Sequence, residues 1–186
     1  ERGARDGGRK RMRFARFVFV CGDNTCLSMI AENVFIARYE GEPLYVASRG
    51  IVVLFEEPCN PKAEAVLAKH GIEMVRNTSM EIRNGDITDS TLVIALEERD
   101  RKRFNTRFPY ATAYTLAALA GEVQDVTDPY GGTEADYERC FEDVDRMITE
   151  AIPTIRQMLA SNDAFDSSQL FEQEIMEDRK DDSFRM

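Results

Sequence analysis

The chain has 186 residues, of which 43% are hydrophobic and 31% charged, and its formal net charge at pH 7 is −10. This length suits one domain with a sizeable core, and the composition is that of a globular protein. No run approaches the ~20 apolar residues of a membrane span, and residues 1–16 lack the apolar core of a signal peptide, so we expect a cytoplasmic protein without a membrane partner.

The first half of the chain alternates between strand and helix patterns. Runs rich in Phe and Val predict strands, and apolar residues recurring every three to four positions predict helices. The predicted elements are a strand over 13–20, a helix over 28–39, a strand over 43–51 and a helix over roughly 61–70.

The second half begins with a continuous apolar run, residues 90–96, which is typical of a strand covered on both faces. A charged segment over 97–108 predicts a surface helix. The stretch that follows contains "VTDPYGG", which we expect to come after a strand and before the last helix. That helix is predicted over 133–159, amphipathic throughout and bent or interrupted near Pro153.

This alternation predicts an α/β fold with a mainly parallel sheet. In such sheets ligands bind outside the carboxyl ends of the strands. We therefore expect Cys21, Ser48 and the turn after Leu96 to lie together at one edge.

The cysteines and the single histidine exclude two classes of site. Four cysteines, Cys21, Cys26, Cys59 and Cys140, are too few and too scattered for a disulfide framework. No pair has CxxC spacing, and His70 sits before Gly71 where helices commonly end, so we expect no metal site. We interpret Cys59 and Cys140 as structural.

The segment from Cys21 onward has the form of a phosphate-binding loop. A strand that turns through consecutive backbone N–H groups into a helix favours an anion, and a cysteine at its entrance gains thiolate character. Such a thiolate can attack phosphorus to give a phosphocysteine, while a carboxylic acid protonates the leaving group. Asp128 is the candidate acid, with Pro129 fixing the turn and Tyr130 walling the opening.

Together, "VCGDNTCLSM" (20–29) and "DPY" (128–130) resemble the signature of the low-molecular-weight protein-tyrosine phosphatases. That signature is V-C-x-G-N-x-C-R-S-P with a distant Asp-Pro-aromatic triplet. The resemblance covers about residues 14–160 and includes bacterial members, some of which act on phosphoarginine. It implies a three-layer sandwich with a central, mainly parallel four-stranded sheet flanked by helices. It also implies no cofactor, and a phosphorylated protein (phosphotyrosine or phosphoarginine) or an inorganic oxyanion as partner.

By position, the resemblance implies a role for each matching residue. Cys21 would be the nucleophile and Asp128 the general acid, while Tyr130 would line the cleft. Asn24 and Ser48 would shape the loop, and Ser28 would assist the thiolate. Cys26 matches a second family cysteine that can form a disulfide with the first under oxidation. The implied phosphate loop comprises Gly22, Asp23, Asn24, Thr25, Cys26, Leu27 and Ser28.

Three residues depart from the signature. Leu27 replaces the arginine that forks onto two phosphoryl oxygens, and an aliphatic chain cannot do this. Losing one electrostatic donor costs ~10²–10³ in rate, and arginine contributions to phosphoryl transfer reach ~10³–10⁵. Asp23 replaces a glycine, with Gly22 one place earlier; its carboxylate repels phosphate and raises the thiol pKa. Met29 for proline is milder.

Each of these residues also has a purely structural interpretation. A cysteine ending a strand is more often packing than nucleophile, and Asp-Pro-aromatic is a common turn. Asn24 and Ser48 could serve as turn and cap residues. A replacement guanidinium could come from Arg49 or Arg99, although nothing in the sequence places either in the loop.

Two functional hypotheses follow. The first is a phosphomonoesterase with weak or altered activity on phosphotyrosine or phosphoarginine proteins. The second, which the loop favours, is a degenerate member that kept the fold, lost the chemistry and serves as a binding or regulatory module. Arsenate reduction is disfavoured, because it uses further cysteines and none lies between Cys59 and Cys140.

Charge is distributed unevenly along the chain. Residues 1–16 hold seven basic and two acidic side chains, a local charge of +5, which leaves −15 on the rest. So acidic a body disfavours nucleic acid as a partner. We predict a basic arm over 1–13, a phosphatase-like domain over 14–160 and an acidic extension over 161–186 whose partner the sequence does not identify.

Overall fold

The computed structural model describes residues 14–160, so the predicted basic arm and acidic extension lie outside the described residues. Strands and helices alternate along this range, as the sequence predicts. The strands are β1 (Arg16–Cys21), β2 (Tyr45–Gly50), β3 (Thr91–Ala95) and β4 (Thr112–Thr115). The helices are α1 (Leu27–Arg38), α2 (Pro61–Lys69), α3 (Glu98–Arg107), α4 (Leu116–Ala120) and α5 (Glu134–Ala160), with a 3-10 turn over Asn84–Asp86.

The four strands form one sheet in the order β2-β1-β3-β4, and every pair is parallel. Successive side chains of a strand point to opposite faces, so the apolar runs of β1 and β3 are buried on both sides. One face, with Phe17 and Phe19, packs with apolar residues of α1, α2 and α5. The other face, with Val18 and Val20, packs against Phe104 of α3. The predicted three-layer α/β sandwich is confirmed.

The parallel register brings the carboxyl ends of β1, β2 and β3 to one edge. Cys21 pairs with Gly50, and Val20 pairs with Ala95, so the loops after these strands are neighbours. The sequence prediction that one edge gathers Cys21, Ser48 and the turn after Leu96 is therefore confirmed.

The last helix differs from its prediction. α5 runs as one helix through Pro153, so the interruption expected there was wrong. Pro153 is exposed, whereas its neighbours Ile152 and Ile155 are buried. The hydrogen bond that proline removes therefore faces water, and apolar packing on the opposite side keeps the helix continuous.

The segment before Asp128 also differs from its prediction. It holds β4 and then the short helix α4, neither of which the sequence assigned. α4 lies between β4 and Asp128, and α5 follows the Asp-Pro-Tyr turn, so the expected order of strand, turn and last helix is confirmed. Among residues 14–160, no helix has the length and apolar character needed to cross a membrane.

Candidate active site

The loop between β1 and α1 is held by backbone hydrogen bonds on both sides. Ile51 N–H donates to the carbonyl of Cys21, and Asn60 N–H donates to that of Thr25, at 3.0 and 2.8 Å. Gly50 lies so close that a β-carbon there would be 2.8 Å from the carbonyl carbon of Asp23. The sequence needs glycine at position 50 because the loop backbone packs directly against the end of β2.

Cys21 sits at the bottom of this loop, with its side chain 5% exposed. Its Sγ lies 3.0 Å from the Ser28 Oγ, and the backbone N–H groups of Ser28 and Asn24 also hydrogen-bond to the sulfur. Burial raises the pKa of the thiol to about 11; the bonds from Ser28 and Asn24 lower it, and the Asp23 carboxylate raises it slightly. The donors of the loop thus lower the pKa of the thiol, but burial outweighs them.

Asn24 links the loop to the neighbouring strand. Its backbone is left-handed, with φ at 59°, a conformation that asparagine tolerates better than most residues. Its Nδ2 donates to Ser28 Oγ at 2.9 Å and to Ser48 Oγ at 3.0 Å, and its Oδ1 accepts from Met80 N–H at 3.0 Å. The structure therefore brings together Asn24, Ser28 and Ser48, the three polar residues that the signature singled out.

Two further residues in this network were missed by sequence reasoning. Ser48 Oγ donates to Glu32 Oε2 at 2.5 Å, and Arg76 donates to the Ser48 carbonyl at 2.8 Å. Burial raises the pKa of the Glu32 carboxyl, while the Ser48 hydrogen bond and the Arg76 charge oppose that rise. Glu32 could have been identified from the sequence, because it lies four residues after Ser28 and therefore on the same face of the helix. Arg76 had none, since its approach to the network depends on the tertiary fold.

Of the three departures from the signature, Asp23 and Leu27 have different structural settings. Asp23 Oδ1 accepts a hydrogen bond from the Thr25 N–H at 3.1 Å, so the loop's own carboxylate uses one of its backbone donors. Leu27 is the first residue of α1, is 3% exposed and belongs to the main apolar core. The loop itself therefore contains no cationic side chain.

A cleft of about 380 Å³ opens above the loop. Asp128 and Tyr130 stand in its wall; Asp128 Oδ1 accepts from the Tyr130 N–H at 3.0 Å, and the Tyr130 side chain is 81% exposed. The structure thus places Asp128 and Tyr130 in the wall of the cleft that also contains Cys21. The lining residues are Cys21, Gly22, Asp23, Thr25, Cys26, Leu27, Val52, Glu97, Arg99, Asp100, Arg103, Asp128 and Tyr130.

Within residues 14–160, the cleft lining includes four carboxylates and two guanidinium groups. Arg99 contacts Glu97 at 2.5 Å and Arg103 contacts Asp100 at 3.1 Å, so both cations come from α3 and are paired. Arg49, a suggested substitute for the loop arginine, does not line the cleft; it donates to the Ser48 carbonyl and pairs with Asp86. Of the two arginines named from the sequence, only Arg99 reaches the cleft.

The four cysteines, all within the described residues, are buried free thiols. Cys26 lines the cleft, and burial raises its pKa strongly. Burial also raises the pKa of Cys59 and of Cys140 to about 12 each, as expected for structural thiols. Among residues 14–160, no three potential metal ligands come together. A Cys21–Cys26 disulfide under oxidation stays a prediction.

Comparison with solved structures identifies the class of fold. The arginine phosphatase YwlE from Geobacillus stearothermophilus superposes with a TM-score of 0.71 at 24% identity, covering 81% of this chain and 98% of that one. A low molecular weight protein tyrosine phosphatase from T. tengcongensis superposes with a TM-score of 0.70 at 29% identity, covering 75% of this chain and 98% of that one. The fold is that of the low molecular weight phosphatases.

Sequence comparison gives the family. A low molecular weight protein-tyrosine-phosphatase from Streptomyces coelicolor is 31% identical over 162 residues, covering 77% of this chain and 95% of the relative. A protein-arginine-phosphatase from Bacillus subtilis is 26% identical over 146 residues, covering 75% and 96%. The profile of the low molecular weight phosphotyrosine protein phosphatases matches residues 16–162. The chain belongs to this family.

Proposed function

We propose that this chain is a family member in which phosphomonoester hydrolysis through a phosphocysteine is weak or lost. In this account it serves as a binding or regulatory module for a phosphorylated protein or an inorganic oxyanion. The observation that carries the proposal is the loop itself, where Leu27 takes the place of the arginine and Asp23 that of the glycine. A cytoplasmic location is part of the same proposal.

Leu27 supports this proposal through its environment as well as its chemistry. Its aliphatic side chain has no donor for the charge that develops on a transferring phosphoryl group, and it is packed into the core. An arginine in phosphoryl transfer increases the rate by ~10³–10⁵, and a loop without an arginine loses a contribution of that size.

Asp23 supports the proposal in two ways. Its carboxylate faces the same cleft into which a phosphate dianion would have to enter, and like charges repel. The same carboxylate also accepts the hydrogen bond of the Thr25 backbone N–H, which would otherwise be available to a bound anion. Both effects weaken phosphate binding and act in the same direction as the loss of arginine.

The alternative is an active phosphatase with an altered loop. Its supports are the hydrogen bonds around the Cys21 sulfur and the presence of Asp128 in the same cleft. Relatives named as protein-tyrosine and protein-arginine phosphatases make phosphotyrosine and phosphoarginine the two candidate substrates.

Restoring the loop separates the two hypotheses. We would compare aryl phosphate hydrolysis by the wild type, by Cys21→Ser and by the double variant Asp23→Gly, Leu27→Arg. The proposal predicts that Cys21-dependent turnover increases by at least about 10²-fold in the double variant. Leu54→Arg, a change at a residue that is 82% exposed and outside the cleft lining, controls for added charge. Equal turnover by the wild type and the double variant would contradict the proposal.

A further inference from the structure

Among residues 14–160, the cationic side chains that line the cleft both come from α3. Arg99 and Arg103 are four residues apart, so they project from the same face of that helix. Both belong to the wall of the cleft that contains Cys21. An anion entering the cleft therefore meets guanidinium groups carried by a neighbouring helix.

Arg103 is the closer of the two to the loop backbone. Its Nη1 lies 3.8 Å from the position that a β-carbon would occupy on Gly22, the residue directly after Cys21. The Arg103 side chain is 51% exposed, whereas that of Arg99 is 71% exposed and pairs with Glu97. The absence of a side chain at residue 22 leaves the path from Arg103 to the loop open.

Asp100 fixes Arg103 in this position. The carboxylate is buried, with its side chain 2% exposed, and it accepts from Arg103 Nη1 at 3.1 Å. A guanidinium has five N–H donors in a rigid fork, so one bond to Asp100 leaves donors for a second acceptor. The hydrogen bond to the buried Asp100 carboxylate therefore orients the Arg103 guanidinium and leaves its other N–H donors available.

We propose that Arg103 is the anion-binding guanidinium of this cleft and takes over, from a helix, the contact that the loop can no longer make. This inference rests on the proposed function in that it takes the cleft to be a phosphoryl site. The ligand class is a phosphate group or another tetrahedral oxyanion. Because Asp23 and Asp128 also line the cleft, the singly charged form of phosphate binds better than the dianion.

The test is the affinity of the full chain for inorganic phosphate, measured calorimetrically and by the thermal upshift that binding produces. We expect Arg103→Gln to weaken phosphate binding about tenfold, because a hydrogen bond to a charged group is lost. Lys102→Gln is the matched control: it removes the same charge from the same helix, but Lys102 pairs with Glu98 and does not line the cleft. We expect less than a twofold effect from it, and partial retention of binding in Arg103→Lys.

Repeating the Arg103→Gln substitution in a Leu27→Arg variant distinguishes a lost phosphate contact from a local structural disturbance caused by Arg103→Gln. In Leu27→Arg the loop regains its own guanidinium, so the effect of Arg103→Gln on phosphate binding should shrink severalfold, which a double-mutant cycle measures. Equal effects of Arg103→Gln and Lys102→Gln, or no phosphate binding by the wild type at millimolar concentration, would overturn the inference. Aryl phosphate turnover by the wild type would instead contradict the proposed loss of chemistry. The role of Arg103 is decided separately, by the phosphate affinities of the variants.

Discussion

At the scale of single residues, the thiol of Cys21 and its surroundings determine whether the loop can do chemistry. The sulfur has hydrogen-bond donors on several sides, yet burial is the largest influence on its pKa and raises it to about 11. With that pKa, on the order of one thiol in 10⁴ is ionised at pH 7. A nucleophile in that state depends on hydrogen-bond donors in the loop, but Leu27 has none and the Asp23 carboxylate accepts the Thr25 N–H.

The alkylation rate of Cys21 should therefore rise with pH through about 11, because only the thiolate reacts. Ser28→Ala should slow alkylation at any given pH, since the Ser28 hydrogen bond lowers the thiol pKa. Rates of iodoacetamide modification, resolved by peptide mass spectrometry between pH 6 and pH 11, provide the measurement. A plateau below pH 7 would show a thiolate stabilised by the loop and contradict this account.

Asn24 makes the second residue-level prediction. Replacing it by alanine leaves partners unsatisfied on Ser28, Ser48 and Met80 and places a non-glycine residue at φ 59° without compensation. We expect Asn24→Ala to lower the free energy of unfolding by roughly 2–4 kcal/mol, measured by urea denaturation. Asn24→Gly removes the side chain but tolerates the backbone, so it separates the two contributions.

The control for this substitution is Asn84→Ala. Asn84 lies in the exposed 3-10 turn and accepts one exposed hydrogen bond from Tyr110, so we expect a loss of less than about 1 kcal/mol. Equal losses at positions 24 and 84 would mean that the buried network around Asn24 does not stabilise the loop.

At the scale of elements, α5 continues through Pro153, and we expect this proline to lower the stability of the protein. Pro153 is exposed, so replacing it by alanine restores a backbone donor without removing buried contacts. An interior proline costs about 3 kcal/mol, offset in part by about 0.4–1 kcal/mol of unfolded-state entropy. We expect Pro153→Ala to raise the melting temperature by several degrees, measured by calorimetry.

Pro61→Ala is the matched control, because Pro61 is the first residue of α2, where proline is favourable. That variant should leave the melting temperature unchanged or lower it. A fall in melting temperature in Pro153→Ala would indicate that the proline has a packing role that its exposure does not suggest.

The elements also show where sequence reasoning succeeds and where it stops. The helices starting near Leu27 and Pro61 and the strand over 91–95 were predicted to within a few residues, because periodicity and proline or glycine signals are local. β4 was missed because three of its four residues are only partly buried and the strand runs directly into α4. The loop, Asn24, Ser48 and Asp128 could be placed from the signature, but Arg76 and Arg103 depend on contacts between distant segments.

At the scale of the whole molecule, the described residues begin and end close to the core. Phe14 is 2% exposed and Leu159 is 8% exposed, so both ends of the range 14–160 carry buried side chains. The domain boundaries at 13/14 and 160/161 stay a prediction. We expect the fragment 14–160 to melt within about 2 °C of the full chain by calorimetry. A loss of cooperative melting in the fragment would show that the basic arm or the acidic extension contributes to the fold.

The central claim, that this chain keeps the fold of its family while its phosphocysteine chemistry is weak or lost, is tested most directly by one rate. That rate is the hydrolysis of an aryl phosphate by the purified wild type, with Cys21→Ser as the background. We predict that the two rates agree within about a factor of ten, since the loop lacks a contribution on the scale of 10³–10⁵. A wild-type rate at least about 10³-fold above that of Cys21→Ser would show an active phosphatase and contradict the account.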